Sequence, residues 1–143
     1  MERVKKWLKR AYKKELEIRV LKEDYLSTKS LIFSLSNFTD DARVQRSPVA
    51  NIREESILKC IEYGEQLTNR IAQLYDIKLE IETLISNIEN ADRRILLRMR
   101  YLNYKAWAEI GYELGFSMRA IHYIHGKALQ DAKDLCAPLH IKL

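Results

Sequence analysis

The sequence predicts an all-α protein: a long antiparallel helical hairpin, coiled-coil-like, followed by a helix-turn-helix. Three observations carry this. The 143 residues hold only four glycines and two prolines, too few for the tight turns of a sheet protein. Leu, Ile, Glu, Lys and Arg dominate, and these suit helices. Apolar residues recur at steps of three and four along most of the chain. The expected division is a hairpin over residues 1–90, a helix-turn-helix domain over 91–136 and a short tail over 137–143.

The first helix is expected over residues 3–35, a rod of about 50 Å. Its stripe is Trp7, Ala11, Ile18, Leu21, Tyr25, Ile32 and Leu35, interrupted at Lys14 and Thr28. This approaches a heptad seam. Residues 36–51 break the pattern with Pro48 and a polar cluster and are read as a connecting loop. The second helix is expected over 52–89, with Asn51 as its N-cap and Glu54 completing a capping box. Its seam runs Cys60, Gly64, Leu67, Ile71, Leu74, Lys78, Ile81, Ile85 and Ile88, with Ile57, Ile61, Ile77 and Leu84 beside it. Two such helices should fold back on each other. The breadth of the second one's apolar face predicts a homo-oligomer, a dimer first of all.

Asp92 is the expected cap of a helix over 93–101. Leu102–Lys105 connects it to a helix over 106–114, and a last helix is expected over 118–135. In this stretch several requirements of a helix-turn-helix coincide. Gly111 offers the small residue where the two helices cross. Gly115 suits a turn with positive φ, and Phe116 can plug the corner. Ile110 and Leu114 face inward from one helix, Ile121 and Ile124 from the other. Ser117 is a good N-cap.

The outer face of the last helix then carries Met118, Arg119, His122, Tyr123, Gly126 and Lys127, and no carboxylate occurs from Met118 to Gln130. Such a face suits the major groove of double-stranded DNA. Arg119 can fork onto guanine or a phosphate, Lys127 can neutralise a phosphate, and His122 or Tyr123 can donate to either. Ser117 and Lys105 lie near helix N-termini, where unpaired N–H groups favour phosphate.

Charge is unevenly spread, at +5 over residues 1–50, −4 over 51–91 and +4 over 92–143. Basic ends fit a polyanionic partner, while the acidic middle can also pair with the first helix. The N-terminal run Arg3, Lys5, Lys6, Lys9, Arg10, Lys13 and Lys14, set among Trp7, Leu8 and Tyr12, leaves three readings open. It is a solvated outer face, an accessory DNA contact, or a contact to a membrane or to RNA polymerase.

Other chemistry is not expected. Cys60 and Cys136 read as two free thiols of a reducing compartment. His122, His125, Cys136 and His140 lack the spacing of a zinc site. No phosphate-cradling glycine loop or nucleophile triad occurs, so neither catalysis nor a cofactor is predicted. No apolar run is long enough to span a membrane, and no apolar signal core follows the basic start.

Residues 92–133 resemble region four of bacterial sigma factors. The shared residues are Ile95-Leu96, Leu97–Tyr101, Trp107–Ile110, Leu114–Ser117, Ile121–His125 and Ala128-Leu129. The longer layout resembles ArpU/RinA-type regulators of late-gene transcription in phages. The resemblance implies promoter-region recognition and activation in the cytoplasm of a bacterial host, at the nucleoid, with RNA polymerase or its sigma subunit as a further partner. It places Met118, Arg119 and Tyr123 at base-contacting positions and His122 and Lys127 at backbone-contacting ones. No region two is recognisable, so replacement of a whole sigma factor is not implied. Two rival readings remain: a phage terminase small subunit binding packaging-site DNA, and a helix-turn-helix module that grips a protein.

Overall fold

A computed structural model describes residues 1–36 and 48–143. Among the described residues the structure is helical, with no strand. The elements are α1 (Glu2–Leu8), α2 (Arg10–Ser36), α3 (Pro48–Ser86), α4 (Ala91–Tyr101), α5 (Trp107–Leu114) and α6 (Met118–Cys136). The predicted loop over 36–51 lies mostly outside the described residues, at 37–47.

Several boundaries differ from the sequence reading. The single N-terminal helix is interrupted by a turn at Lys9, although Lys9 N still donates to Lys5 O at 2.9 Å. Helix α3 begins at Pro48 rather than after Asn51. Asn51 therefore lies inside the helix and forms no capping box. The cap of α4 is Asn90, not Asp92: its side chain accepts from Arg93 N at 3.1 Å.

The described residues form two compact units, residues 1–14 with 74–143, and residues 15–73. A division at residue 90 does not describe them, because the last turns of α3 carry core residues.

In the first unit, α6 packs against α1, α4 and α5. The core joins Val4, Trp7, Leu8 and Ala11 to Ile81, Leu84, Ile85 and Ile88 from α3. Leu96, Leu97, Tyr101, Ile110, Ile121, Ala128, Leu129 and Ala132 complete it. An ion pair from Arg93 to Asp131, 2.8 Å, ties α4 to α6. Leu139 and Ile141 of the tail pack against the same core.

In the second unit the predicted stripe of α2 is half-buried at Ile18, Leu21, Tyr25, Ile32 and Leu35. Thr28 lies in it too, its hydroxyl donating back to Asp24 O at 2.9 Å, which satisfies the hydroxyl within its own helix. Glu17 pairs with Arg70 at 2.7 Å, Tyr25 lies against Gly64, and Arg53 Nε donates to Ser36 Oγ at 3.2 Å. Early residues of α2 thus meet late residues of α3. Of the predicted α3 seam, Cys60, Gly64 and Leu67 are half-buried, whereas Ile71 is exposed.

Candidate nucleic-acid interface

The candidate surface is the outer face of α6, positioned by the corner between α5 and α6. Gly115 closes α5 with φ 73° and ψ 28°, a left-handed conformation that glycine adopts without strain. Phe116 N then donates to Gly111 O at 3.0 Å. A side chain at Gly111 would put its Cβ 3.0 Å from Phe116 O and 3.5 Å from Ile121. Close approach is therefore what this position requires. Ser117 starts α6, its Oγ accepting from Ala120 N at 3.2 Å.

With Ile121, Ala128, Leu129 and Ala132 buried, periodicity turns Met118, Arg119, His122, Tyr123, Gly126 and Lys127 to the surface, and all are exposed. Lys127 Nζ lies 5.6 Å from the Tyr123 ring centroid. Nothing lies within 4 Å of where a Cβ on Gly126 would be. Ser117 is exposed as well and marks the N-terminal end of this face.

Lys105 stands apart from the other predicted site residues. Its Nζ binds both carboxylate oxygens of Glu113, at 2.7 and 2.8 Å. A phosphate contact by Lys105 would have to displace Glu113.

Beneath the α6 face lies a polar cluster whose members are distant in sequence. Tyr101 Oη and His125 Nε2 share a 2.8 Å hydrogen bond. The Trp107 ring meets His125 edge-on at 4.6 Å and also lies 5.4 Å from the His122 ring. Arg100 stacks over Trp107 at 4.4 Å and donates to Lys105 O at 3.0 Å. The guanidinium and ring thus brace the start of α5 beneath the exposed His122.

Burial pushes the His125 pKa down to about 4, helped by the nearby Lys5, Arg100, His122 and Lys9. Burial also pushes Tyr101 up to about 12, opposed by Arg100 and assisted by Glu2. Both groups are therefore neutral near pH 7, as a buried hydrogen-bonded pair should be. His125 falls four residues after Ile121, on the inward stripe. That register was the available signal for its burial.

Both cysteines are free, and burial raises the Cys136 pKa. Among the described residues no group of three His, Cys, Asp or Glu side chains is placed to hold a metal. Among them, too, no helix is long and apolar enough to cross a membrane.

Residues 56–133, from α3 into α6, match the family described as Protein of unknown function (DUF1492). The chain belongs to this family. The DUF1492 match takes in α4, α5 and nearly all of α6, so the whole proposed contact face lies within it. No curated protein and no solved structure matches the chain.

Proposed function

We propose that this DUF1492 protein is a sequence-specific, double-stranded DNA-binding regulator of transcription. Helices α5 and α6 act as a helix-turn-helix, with α6 in the major groove. The observation that carries this reading is the exposed α6 face: Arg119, His122, Tyr123 and Lys127 together, with no carboxylate before Asp131. Arg119 reads a base edge or phosphate, Lys127 neutralises phosphate, and Met118 and Tyr123 touch bases. The resemblance to sigma region four and to ArpU/RinA-type regulators favours activation of phage late genes by recruiting RNA polymerase or its sigma subunit.

In the same proposal α2 and α3 form an antiparallel hairpin that assembles two copies. Leu58, Ile61 and Ile71 of α3, together with Val20, Leu26 and Phe33 of α2, are exposed. Apolar exposure of this kind favours a protein partner. Two copies would present two α6 helices to half-sites about one helical turn, or a multiple of it, apart.

Selection of bound duplexes from a random pool tests the reading. A defined motif is expected, as two spaced copies, and the double variant Arg119→Ala, Lys127→Ala should weaken binding at least tenfold, since one good base contact is worth about 1–3 kcal/mol. No duplex binding at low salt, or equal binding by the variant, would replace this reading with a protein-gripping module. A closed ring of many subunits in light scattering would favour DNA packaging over activation.

A further inference from the structure

We propose that the N-terminal segment, α1 with the turn at Lys9, is a second DNA-contacting element, its Lys5 and Lys9 engaging backbone phosphates that flank the groove held by α6. This rests on the DNA-binding reading of α6 and deepens it, adding a phosphate-binding rim beyond the contact made by Lys127.

The placement comes from packing. Val4, Trp7, Leu8 and Ala11 are buried in the core that also holds Ala128, Leu129 and Ala132. Lys9 keeps a right-handed helical backbone, and the bonds from Lys9 N to Lys5 O and from Lys13 N to Lys9 O carry the register from α1 into α2, so anchoring through 4, 7, 8 and 11 turns residues 5, 9 and 12 along one edge. Tyr12, on that edge, meets Tyr104 edge-on with ring centroids 5.4 Å apart. Tyr104 belongs to the connector between α4 and α5, next to Lys105. The Lys5–Lys9–Tyr12 edge is therefore fixed beside the connector that leads into α5, the helix that crosses the DNA backbone in such a pair.

The local charge agrees. Lys5, Arg100 and Lys9, all cations, bear on His125 beneath the α6 face. Lys9 is exposed. Lys5 meets Glu2 at 3.4 Å, but Glu2 is 89% exposed, and a pair of that kind yields readily to a phosphate. Arg10, by contrast, is held by Glu80 at 2.6 Å and by the Trp7 ring, so it is not part of the rim.

Removing residues 1–14 would take four core side chains with it, so point variants are the appropriate test. Binding of the full chain to its selected duplex is measured across a salt series for wild type, Lys5→Gln/Lys9→Gln, Arg119→Ala/Lys127→Ala and the charge-matched Lys22→Gln/Lys142→Gln, at two exposed lysines outside the rim. Helical content and melting are followed for each. Loss of two phosphate contacts should lower the slope of log K against log salt by about 1.8. The preferred sequence should stay the same, and Lys5→Arg/Lys9→Arg should restore the wild-type slope. An unchanged slope in the Gln variant, while the α6 variant binds weakly, overturns the role of α1 and leaves that of α6 standing. An equal loss of slope in Lys22→Gln/Lys142→Gln also overturns it, because net charge would then explain the effect. No duplex binding by wild type overturns both.

Discussion

The two compact units are built from the same kind of amphipathic helix, yet they end up differently. In residues 1–14 and 74–143, pieces of six helices meet and bury Leu8, Ile81, Leu84, Ile85, Leu96, Leu97, Ile110 and Ile121 fully. In residues 15–73, two helices share one seam, and its side chains are only half-buried. There Ser56 is the sole buried residue among those described, while Phe33 is 71% and Leu58 64% exposed. The lesson is geometric. One stripe covers one side of a neighbour, and full burial needs a third element to close the other side. The unit that has this third element also carries the candidate interface. Placing contact residues on helices locked by a packed core is what holds them within a fraction of an ångström of a working geometry.

The sharpest way to break this contrast is a pair of leucine truncations. Leu96→Ala should cost about 2–5 kcal/mol, through lost burial and a residual cavity. Leu58→Ala should change stability by no more than about 0.5 kcal/mol in the single chain. Urea denaturation of both variants decides, and equal losses would refute the distinction.

Acid should come next, and should act on the first unit through His125. Its pKa is near 4 when folded against 6.5 for an ordinary histidine. Between those values the unfolded chain binds more protons, so stability is complete above about pH 6.5 and falls as pH drops toward 4. The expected loss is on the order of 2 kcal/mol, below the full linkage value because solvent partly screens the ring. The urea midpoint followed from pH 7.5 to 4.5 should fall more steeply in wild type than in His125→Gln. Parallel profiles would show that the buried ring does not govern the acid response.

The smallest effects compare one local contact from each unit. Ser117→Ala removes the α6 cap and should cost about 1 kcal/mol. Arg70→Ala removes an exposed pair with Glu17 and should cost a few tenths of a kcal/mol, within the ~0–1 kcal/mol range of surface ion pairs. Thermal melts resolve the two. A larger loss at Arg70 would mean that the second unit depends on its ion pairs more than on its seam.

Much of the molecule was legible where the signal is local. Gly111, Gly115 and Ser117 announced the corner, and helical periodicity assigned the exposed α6 residues. The stripe of α2 was also readable, including the positions where Lys14 and Thr28 interrupt it. Less legible were long-range matters. Ile71 has the right register for the α3 seam but stays exposed. Lys105 sits in the expected connector, yet Glu113, eight residues away, has claimed its charge. The Tyr101–His125 bond links residues 24 apart, and no spacing rule within one helix could reveal it.

The amino-acid order by itself determined the run of helices, the Ser117 cap and the turn at Gly115, because those depend on neighbours within about four residues. Only the tertiary structure decided that α1 shares a core with α6 and that the last turns of α3 belong to that core. An apolar stripe states that a partner exists without naming it. The choice depends on which complementary surfaces pack together across the whole chain, and no local pattern records that.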